Sequence, residues 1–253
     1  MSDMEPMFAS PDWYDRSVNW SARFGREIPV LTEVFGPPGS GGILDAGCGP
    51  GRQGSELAAC GYDVTALDAD AKMLELAARN ADQRGVQLKL VHAPYAQMLE
   101  TLPGGFDGVY CLANSLAAAR EREACEQAVR NFAAVLRPGG RLFVQILNFR
   151  GMRNEVPCIR GPRVTRHEDI EYVSVRHFTF EAAHCRVTNV TLWKDDTWHH
   201  HSNAAVLYPI DMDELTDWCA AAGLRIDARN GSYAREEFDP ERSVDLILVA
   251  TRA

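Results

Sequence analysis

The chain lacks any apolar run near the roughly 20 residues that span a bilayer, and it offers no internal repeat or low-complexity tract. Its opening residues, Met1-Ser2-Asp3-Met4-Glu5, are acidic and lack the basic and apolar regions of a signal peptide. The expectation is a cytoplasmic protein without a membrane partner. Positive charge is scarce: 26 Lys and Arg face 35 Asp and Glu, a formal net charge of −9. Bulk electrostatics then disfavours nucleic acid, whose phosphates attract clustered cations. C-x-x-C pairs are absent, and the seven cysteines are odd in number and scattered. Cys111, Cys125 and Cys219 fall in strands or on helix faces, so buried reduced thiols fit better than disulfides or metal ligands. What remains is ordinary globular composition over 253 residues, enough for a full core in one domain with an embellishment. A homo-oligomer stays open.

Against those absences stands Ile43-Leu44-Asp45-Ala46-Gly47-Cys48-Gly49-Pro50-Gly51. A short apolar run reaches an acid, and Gly47, Gly49 and Gly51 follow at every second position. This reads as a buried parallel strand, a tight turn, and a helix starting near Arg52. The glycines let the chain take positive φ and let a ligand approach the backbone, and the helix presents free N–H groups. Asp45, at the strand tip, can accept a hydrogen bond from a cationic ligand group. The order acid, Gly, x, Gly, x, Gly suits S-adenosylmethionine, a nucleoside carrying an amino acid. Two other readings remain for this stretch alone. Gly49-Pro50-Gly51-Arg52-Gln53-Gly54 fits the dinucleotide fingerprint G-x-G-x-x-G, and any of these glycines can serve a plain turn.

Tyr62–Leu67 reads as the next strand, with Asp68 ending it. An acid there can hold both ribose hydroxyls, while Asp70 caps the helix Ala71–Asn80. Met73, Leu74 and Ala77 give that helix its inner face. Phe106–Leu112 reads as the fourth strand. Cys125, Ala128, Val129, Phe132, Val135 and Leu136 then follow the spacing of a one-sided helix, stopped by Arg137-Pro138-Gly139-Gly140. Arg141–Leu147 is a fifth strand. Asp211 and Glu214 open a helix as a capping box, with Met212, Leu215, Cys219 and Ala222 as its buried stripe. Leu224–Ala228 and Ser243–Thr251 read as the last two strands.

These pieces in this order resemble class I S-adenosylmethionine-dependent methyltransferases, from Gly42 to Asn148 and again from Tyr208 to the C-terminus. The resemblance implies a doubly wound, seven-stranded Rossmann-like α/β sheet whose last strand runs antiparallel. A narrower resemblance is to the glycine/sarcosine N-methyltransferase group. It rests on Trp20-Ser21-Ala22-Arg23, Ala66–Leu74, Cys111–Leu116 and Asn148-Phe149. It implies that Arg23 binds the methionine carboxylate, that the Leu112 carbonyl accepts from the methionine ammonium, and that Asn114 lies beside the methyl group. It brings an N-terminal tyrosine, Tyr14, to the site. Ala69, Met73 and Ala93 join the cofactor set. The group's Asn-Trp pair falls on Pro94-Tyr95: Tyr95 can pack on adenine, while Pro94 cannot supply the amide contact. The arginine that grips glycine falls on Leu147, so glycine is not the expected acceptor.

The expected organisation is a helical cap over 1–41, with aromatics Trp13, Tyr14, Trp20 and Phe24, and a methyltransferase domain over 42–253. Residues 149–207 break the alternation of strand and helix. Ile170–Phe178, Arg186–Trp193 and Thr197–Val206 alternate as strands, an antiparallel β lid inserted after the fifth strand. The lid is close to neutral in an acidic chain and holds six of the seven histidines. In His199-His200-His201, strand geometry lets only His199 and His201 share a face. A metal would need a third ligand, so no metal is expected. His201, with Tyr172 and Arg176, is a candidate substrate contact. Asn114, Tyr14 and His201 are the catalytic candidates, Asn114 as a positioning group. The expected activity is methyl transfer to nitrogen or oxygen of a small molecule. A nicotinamide oxidoreductase using Gly49–Gly54 and a non-catalytic S-adenosylmethionine-binding module are the alternatives.

Overall fold

The computed structural model describes residues 11–39, 41–167 and 169–253, without the side chains of Pro11, Trp13 and His167. The acidic opening, Ser40, Glu168 and the Trp13 ring of the aromatic set therefore lie outside the described residues. The described part opens with helices α1 (Pro11–Ser17) and α2 (Trp20–Phe35). Asn19 caps α2 by accepting from the Ala22 N–H. There follow β1 (Ile43–Ala46), α3 (Arg52–Ala59), β2 (Val64–Asp68), α4 (Ala71–Arg84) and β3 (Lys89–His92). After a short 3₁₀ turn at Tyr95–Gln97 come α5 (Met98–Thr101), β4 (Phe106–Cys111), α6 (Arg122–Val135), β5 (Leu136–Leu147) and α7 (Phe149–Met152). Strands β6 (Cys158–His167), β7 (Ile170–Glu181), β8 (His184–Lys194) and β9 (Trp198–Leu207) precede α8 (Met212–Ala221), β10 (Leu224–Asn230) and β11 (Asp245–Arg252).

Seven strands form one sheet in the order β10-β11-β5-β4-β1-β2-β3. The pairs β1–β2, β1–β4, β2–β3 and β4–β5 are parallel, and β11 runs antiparallel to both β5 and β10. Strand alternation splits the core between the two faces. Val109, Cys111, Leu142, Val144, Leu246 and Leu248 pack with Phe132, Met98 and Trp218 on one side. Tyr110, Phe143, Ile247 and Val249 pack with Leu31, Leu57 and Tyr233 on the other. The chain passes from β1 outward to β3, then returns to β4 on the opposite side of β1. A crevice therefore opens beyond the carboxyl ends of β1 and β4, where doubly wound sheets bind ligands.

Asp70 does cap α4, accepting from the Lys72 N–H at 2.9 Å. The helix continues past the expected Asn80 to Arg84, where Gly85 in the left-handed region ends it. The box at α8 forms, with Asp211 Oδ1 accepting from the Glu214 N–H at 2.8 Å. Trp218 rather than Ala222 completes its buried stripe. Strand β5 starts at Leu136, earlier than Arg141; a register shift against β4 absorbs the Pro138-Gly139-Gly140 stretch. The insertion holds four antiparallel strands, β6-β7-β8-β9, not three. The additional strand, β6, carries Gly161-Pro162, which reads as a turn. A register shift between Arg160 and Arg163 accommodates both residues inside the strand. Phe178, Cys158, Cys185 and Leu207 of this second sheet are buried in the main core. Among the described residues, no helix is long and apolar enough to cross a membrane.

Candidate active site

The glycine turn is built by exclusion of side chains. Gly47 sits at φ +81° and donates its N–H to the Leu67 carbonyl at 2.8 Å. A Cβ there would collide with Ser115 Oγ and Tyr95 Oη. The Tyr95 hydroxyl reaches under the turn, 3.1 Å from the Ala46 carbonyl and 2.8 Å from Ser115 Oγ. Its ring meets Phe132 edge to face at 5.1 Å. Burial pushes the Tyr95 pKa well above its ordinary value, so the phenol stays protonated at neutral pH.

Two acids stand beside this turn. Asp68 Oδ2 accepts from the Gly49 N–H at 2.8 Å and Oδ1 from the Asp70 N–H at 2.9 Å. Each oxygen keeps a second lone pair for a ligand. Burial raises the Asp68 pKa against those backbone donors. Asp45 is more deeply enclosed, 3% exposed, and its Oδ2 has no hydrogen-bond partner among the described residues. Burial pushes Asp45 up to about 7; the neighbouring Tyr110 hydroxyl opposes the rise, Asp68 adds to it and Arg23 opposes it.

Helix α2 brings Arg23 to the same space. Its Nε donates to Glu27 Oε1 at 2.7 Å, one turn on. Gln53 Nε2 holds the other Glu27 oxygen at 2.9 Å. The guanidinium lies 5.2 Å from the Trp20 ring centroid. Burial works against this charge, yet Tyr14 and Glu27 outweigh it and raise the Arg23 pKa. Helix α1 is pinned to α3 by Asp15, which takes the Arg52 guanidinium through both oxygens, and Tyr14 stands edge-on to Trp20.

Together these groups line a cavity of about 710 Å³. Of the residues singled out from sequence, Tyr14, Arg23, Asp45, Gly47, Gly49, Asp68, Ala69, Met73, Ala93, Tyr95 and Leu112 line it. Gly51, Asn114 and His201 are not among the lining residues. Gly51 caps α3 at φ +67°, and a Cβ there would come within 2.7 Å of Ala77 Cβ, so it serves the contact of α3 with α4. Asn114 spends its side-chain oxygen on the Leu147 N–H at 2.7 Å. With Ala113 it lies in the left-handed region, and Gln145 clamps the Ala113 N–H at 2.9 Å. His201 sits on β9 opposite Thr191. His199 stacks on Trp193 and contacts Asp195 at 2.9 Å. Among the described residues, no three His, Cys, Asp or Glu are placed to hold a metal. Sequence reading passed over Glu27, Gln53 and Ser115. Only Arg23 and Glu27, four apart on one helix, left a signal.

The sheet order and this glycine-and-acid crevice define the class I S-adenosylmethionine-dependent methyltransferase fold. Residues 43–140 match the family model described as Methyltransferase domain. A glycine/sarcosine N-methyltransferase from Aphanothece halophytica is 29% identical over 136 residues, 54% of this chain and 51% of the relative. A ubiquinone biosynthesis O-methyltransferase from Xanthomonas euvesicatoria is 32% identical over 106 residues, 42% of this chain and 43% of the relative. The chain thus spans about half the length of the curated relatives it matches. The crystal structure of an S-adenosylmethionine-dependent methyltransferase from Clostridium acetobutylicum superposes with a TM-score of 0.76 at 14% identity. It covers 96% of this chain and 97% of its own, a likeness of fold.

The cavity fits the cofactor that goes with this class. S-adenosylmethionine presents an ammonium, a carboxylate and a ribose diol. The wall presents a buried carboxylate oxygen without a partner on Asp45, spare lone pairs on Asp68, and an Arg23 fork whose terminal nitrogens make no hydrogen bond among the described residues.

Proposed function

We propose that the protein transfers the methyl group of S-adenosylmethionine to nitrogen or oxygen of a small-molecule metabolite larger than glycine. The observation that carries this reading is the convergence of Asp45, Asp68 and Arg23 on one cavity at the carboxyl ends of β1, β2 and β4. Asp68 would hold the ribose diol. Arg23 would pair with the methionine carboxylate, and Asp45 with the Leu112 carbonyl would receive the ammonium. Bound there, the cofactor supplies a sulfonium-activated carbon. The chain's own task is to align the acceptor and exclude water. Tyr14 is the catalytic candidate lining the cavity. Asn114 acts by positioning, since its carboxamide ties the loop after β4 to the end of β5. The second sheet, β6–β9, serves as the lid.

The exclusion of glycine is supported by Leu147, an apolar residue packed against the core. A small zwitterion seated against Leu147 has no cation at that position to pair with its carboxylate, which is costly. The N-methyl and O-methyl relatives leave the receiving atom as either element. We place the protein in the cytoplasm: all seven cysteines are free thiols and six are buried. The test is calorimetry with S-adenosylmethionine, followed by assay of S-adenosylhomocysteine release over amines, phenols and carboxylates, with glycine and sarcosine included. Binding with turnover of a larger acceptor is expected. Efficient turnover of glycine would overturn the exclusion, and failure to bind the cofactor would overturn the whole reading.

A further inference from the structure

The second sheet has one face turned inward, and that face changes character along β7. Phe178 lies buried against the main core, with Cys158 opposite it on β6. Tyr172 is buried at the far end. Its β6 neighbour, Thr165, donates from its hydroxyl to the Arg16 carbonyl of α1. The stretch between is fixed at both ends, and its two inward residues are Ser174 and Arg176. Asn189 on β8 stands opposite Arg176, and Asn203 on β9 opposite Asn189, so the row is polar.

The cations nearby are mostly spent. Arg160, facing Arg176 across β6, is forked onto Glu155 at 2.5 and 2.8 Å. Arg166 pairs with Glu171, and Arg186 with Glu181. Arg153 lies over the Phe180 ring. Arg176 is half-buried and, among the described residues, has neither an ion pair nor a hydrogen bond. Ser174 Oγ, two residues away on the same face, is buried without a partner. Burial, followed by Arg163, pulls the Arg176 pKa down to about 10; Arg23 and Arg160 push the same way, and Tyr14 opposes them. Tyr14 and Arg23 are also cavity residues. A guanidinium kept among cations with no counter-ion is unfavourable in the free protein. It is well suited to a planar or tetrahedral anion, which it can grip with two parallel hydrogen bonds.

We infer, resting on the methyltransferase reading above, that the acceptor carries a carboxylate or a phosphate, and that Arg176 with Ser174 is the site that holds it. The anion then supplies the counter-charge that the fold withholds. The methyl-accepting atom lies on the remainder of the molecule, toward Tyr14.

The test uses the full chain saturated with S-adenosylhomocysteine and three probes of similar size: benzoate, phenyl phosphate and neutral benzamide. Binding is read by calorimetry and by broadening of the probe resonances. Benzoate or phenyl phosphate is expected to bind at least about tenfold more tightly than benzamide, as a charge-assisted fork requires. The tighter of the two names the anionic group. Arg176→Gln should erase that preference while S-adenosylhomocysteine affinity stays within about twofold, and Arg176→Lys should keep part of it. Thermal melting guards against misfolding, because removing a cation without a partner should leave the variant at least as stable as the parent. Equal binding of benzamide, no detectable binding of either anion, or an undiminished preference in Arg176→Gln would overturn the inference. Failure of S-adenosylhomocysteine to bind the parent strikes the methyltransferase reading instead, and the probe comparison on ligand-free protein still decides the anion site.

Discussion

The two sheets hold their charges in opposite ways. At the carboxyl end of the seven-stranded sheet the charge is negative and already half coordinated. Asp68 takes backbone N–H groups from Gly49 and Asp70, and only a remainder of its capacity faces the cavity. On the inner face of the four-stranded sheet the charge is positive and without a counter-ion among the described residues, with Ser174 equally unsatisfied beside it. The first arrangement is preorganised, so a ligand meets donors and acceptors whose positions the backbone has set. The second is held in tension, and the ligand must complete it. A cofactor common to many reactions suits the former, and an acceptor that varies from protein to protein suits the latter.

The sharpest way to break this contrast is Gly47→Ala. The new methyl would meet Ser115 and Tyr95, and alanine would be forced to φ near +81°. Overpacking and left-handed strain together predict a loss of about 2–4 kcal/mol in stability, read from denaturant melts, with cofactor binding lost as well. A fully stable variant that still binds would show that the turn is not rigid. Next in size is Asp68→Ala. Losing a charged acceptor should weaken S-adenosylmethionine by about 1.5–3 kcal/mol, or roughly ten- to 150-fold by calorimetry. Unchanged affinity would remove Asp68 from the ribose. Arg23→Lys follows at about tenfold, since an ammonium cannot copy the fork. A cofactor-bound crystal structure with Arg23 turned away from the carboxylate would count against it.

Acid titration sharpens the same contrast. The folded value of Asp45, about 7, lies above its ordinary 3.8. Between those values the folded state binds more protons than the unfolded one, so ligand-free stability should fall as pH rises from about 4 to about 7. Asp68 and Asp245 shift in the same direction. Asp45→Asn should remove part of this slope and stabilise the ligand-free protein at pH 8, while weakening the cofactor. Melts of both proteins at pH 5 and pH 8 check the sign, and a parent more stable at pH 8 would refute it. The smallest expected effect is on the second sheet. Arg176→Leu should raise the melting temperature by about 2–4 °C if roughly 1 kcal/mol of repulsion is relieved.

Much of the first sheet's end is legible in the sequence. A buried strand ending in an acid and three spaced glycines constrains its own geometry within nine residues, and the Asp70 cap of α4 follows from cap chemistry alone. What stayed hidden has a common cause. Gly51 belongs to the same motif, yet its need for a bare α-carbon comes from Ala77, a residue 26 positions on. That the Asn114 oxygen is taken by the Leu147 N–H is likewise invisible until the end of β5 is placed beside it. Strand β6 is hidden by Gly161-Pro162, which a bulge tolerates. Arg176 stood out only as one polar residue among several in the lid. That it lacks a counter-ion can be learned only by locating the acids around it, and those acids are paired elsewhere through space.

The collision that forbids a methyl group at Gly47 has a consequence for how such a protein can be altered. The donor side is locked atom against atom: Gly47 on Ser115 and Tyr95, and Tyr95 in turn on Phe132. A substitution at any one of these disturbs the others. The inner row of β7, β8 and β9 belongs to a separate sheet, not to the turn and the strands that lock it. Engineering for a new acceptor therefore has one open direction. Ser174, Arg176, Asn189 and Asn203 can be exchanged as a set while the glycine turn is left untouched, so acceptor choice is separable from the methyl-donor machinery.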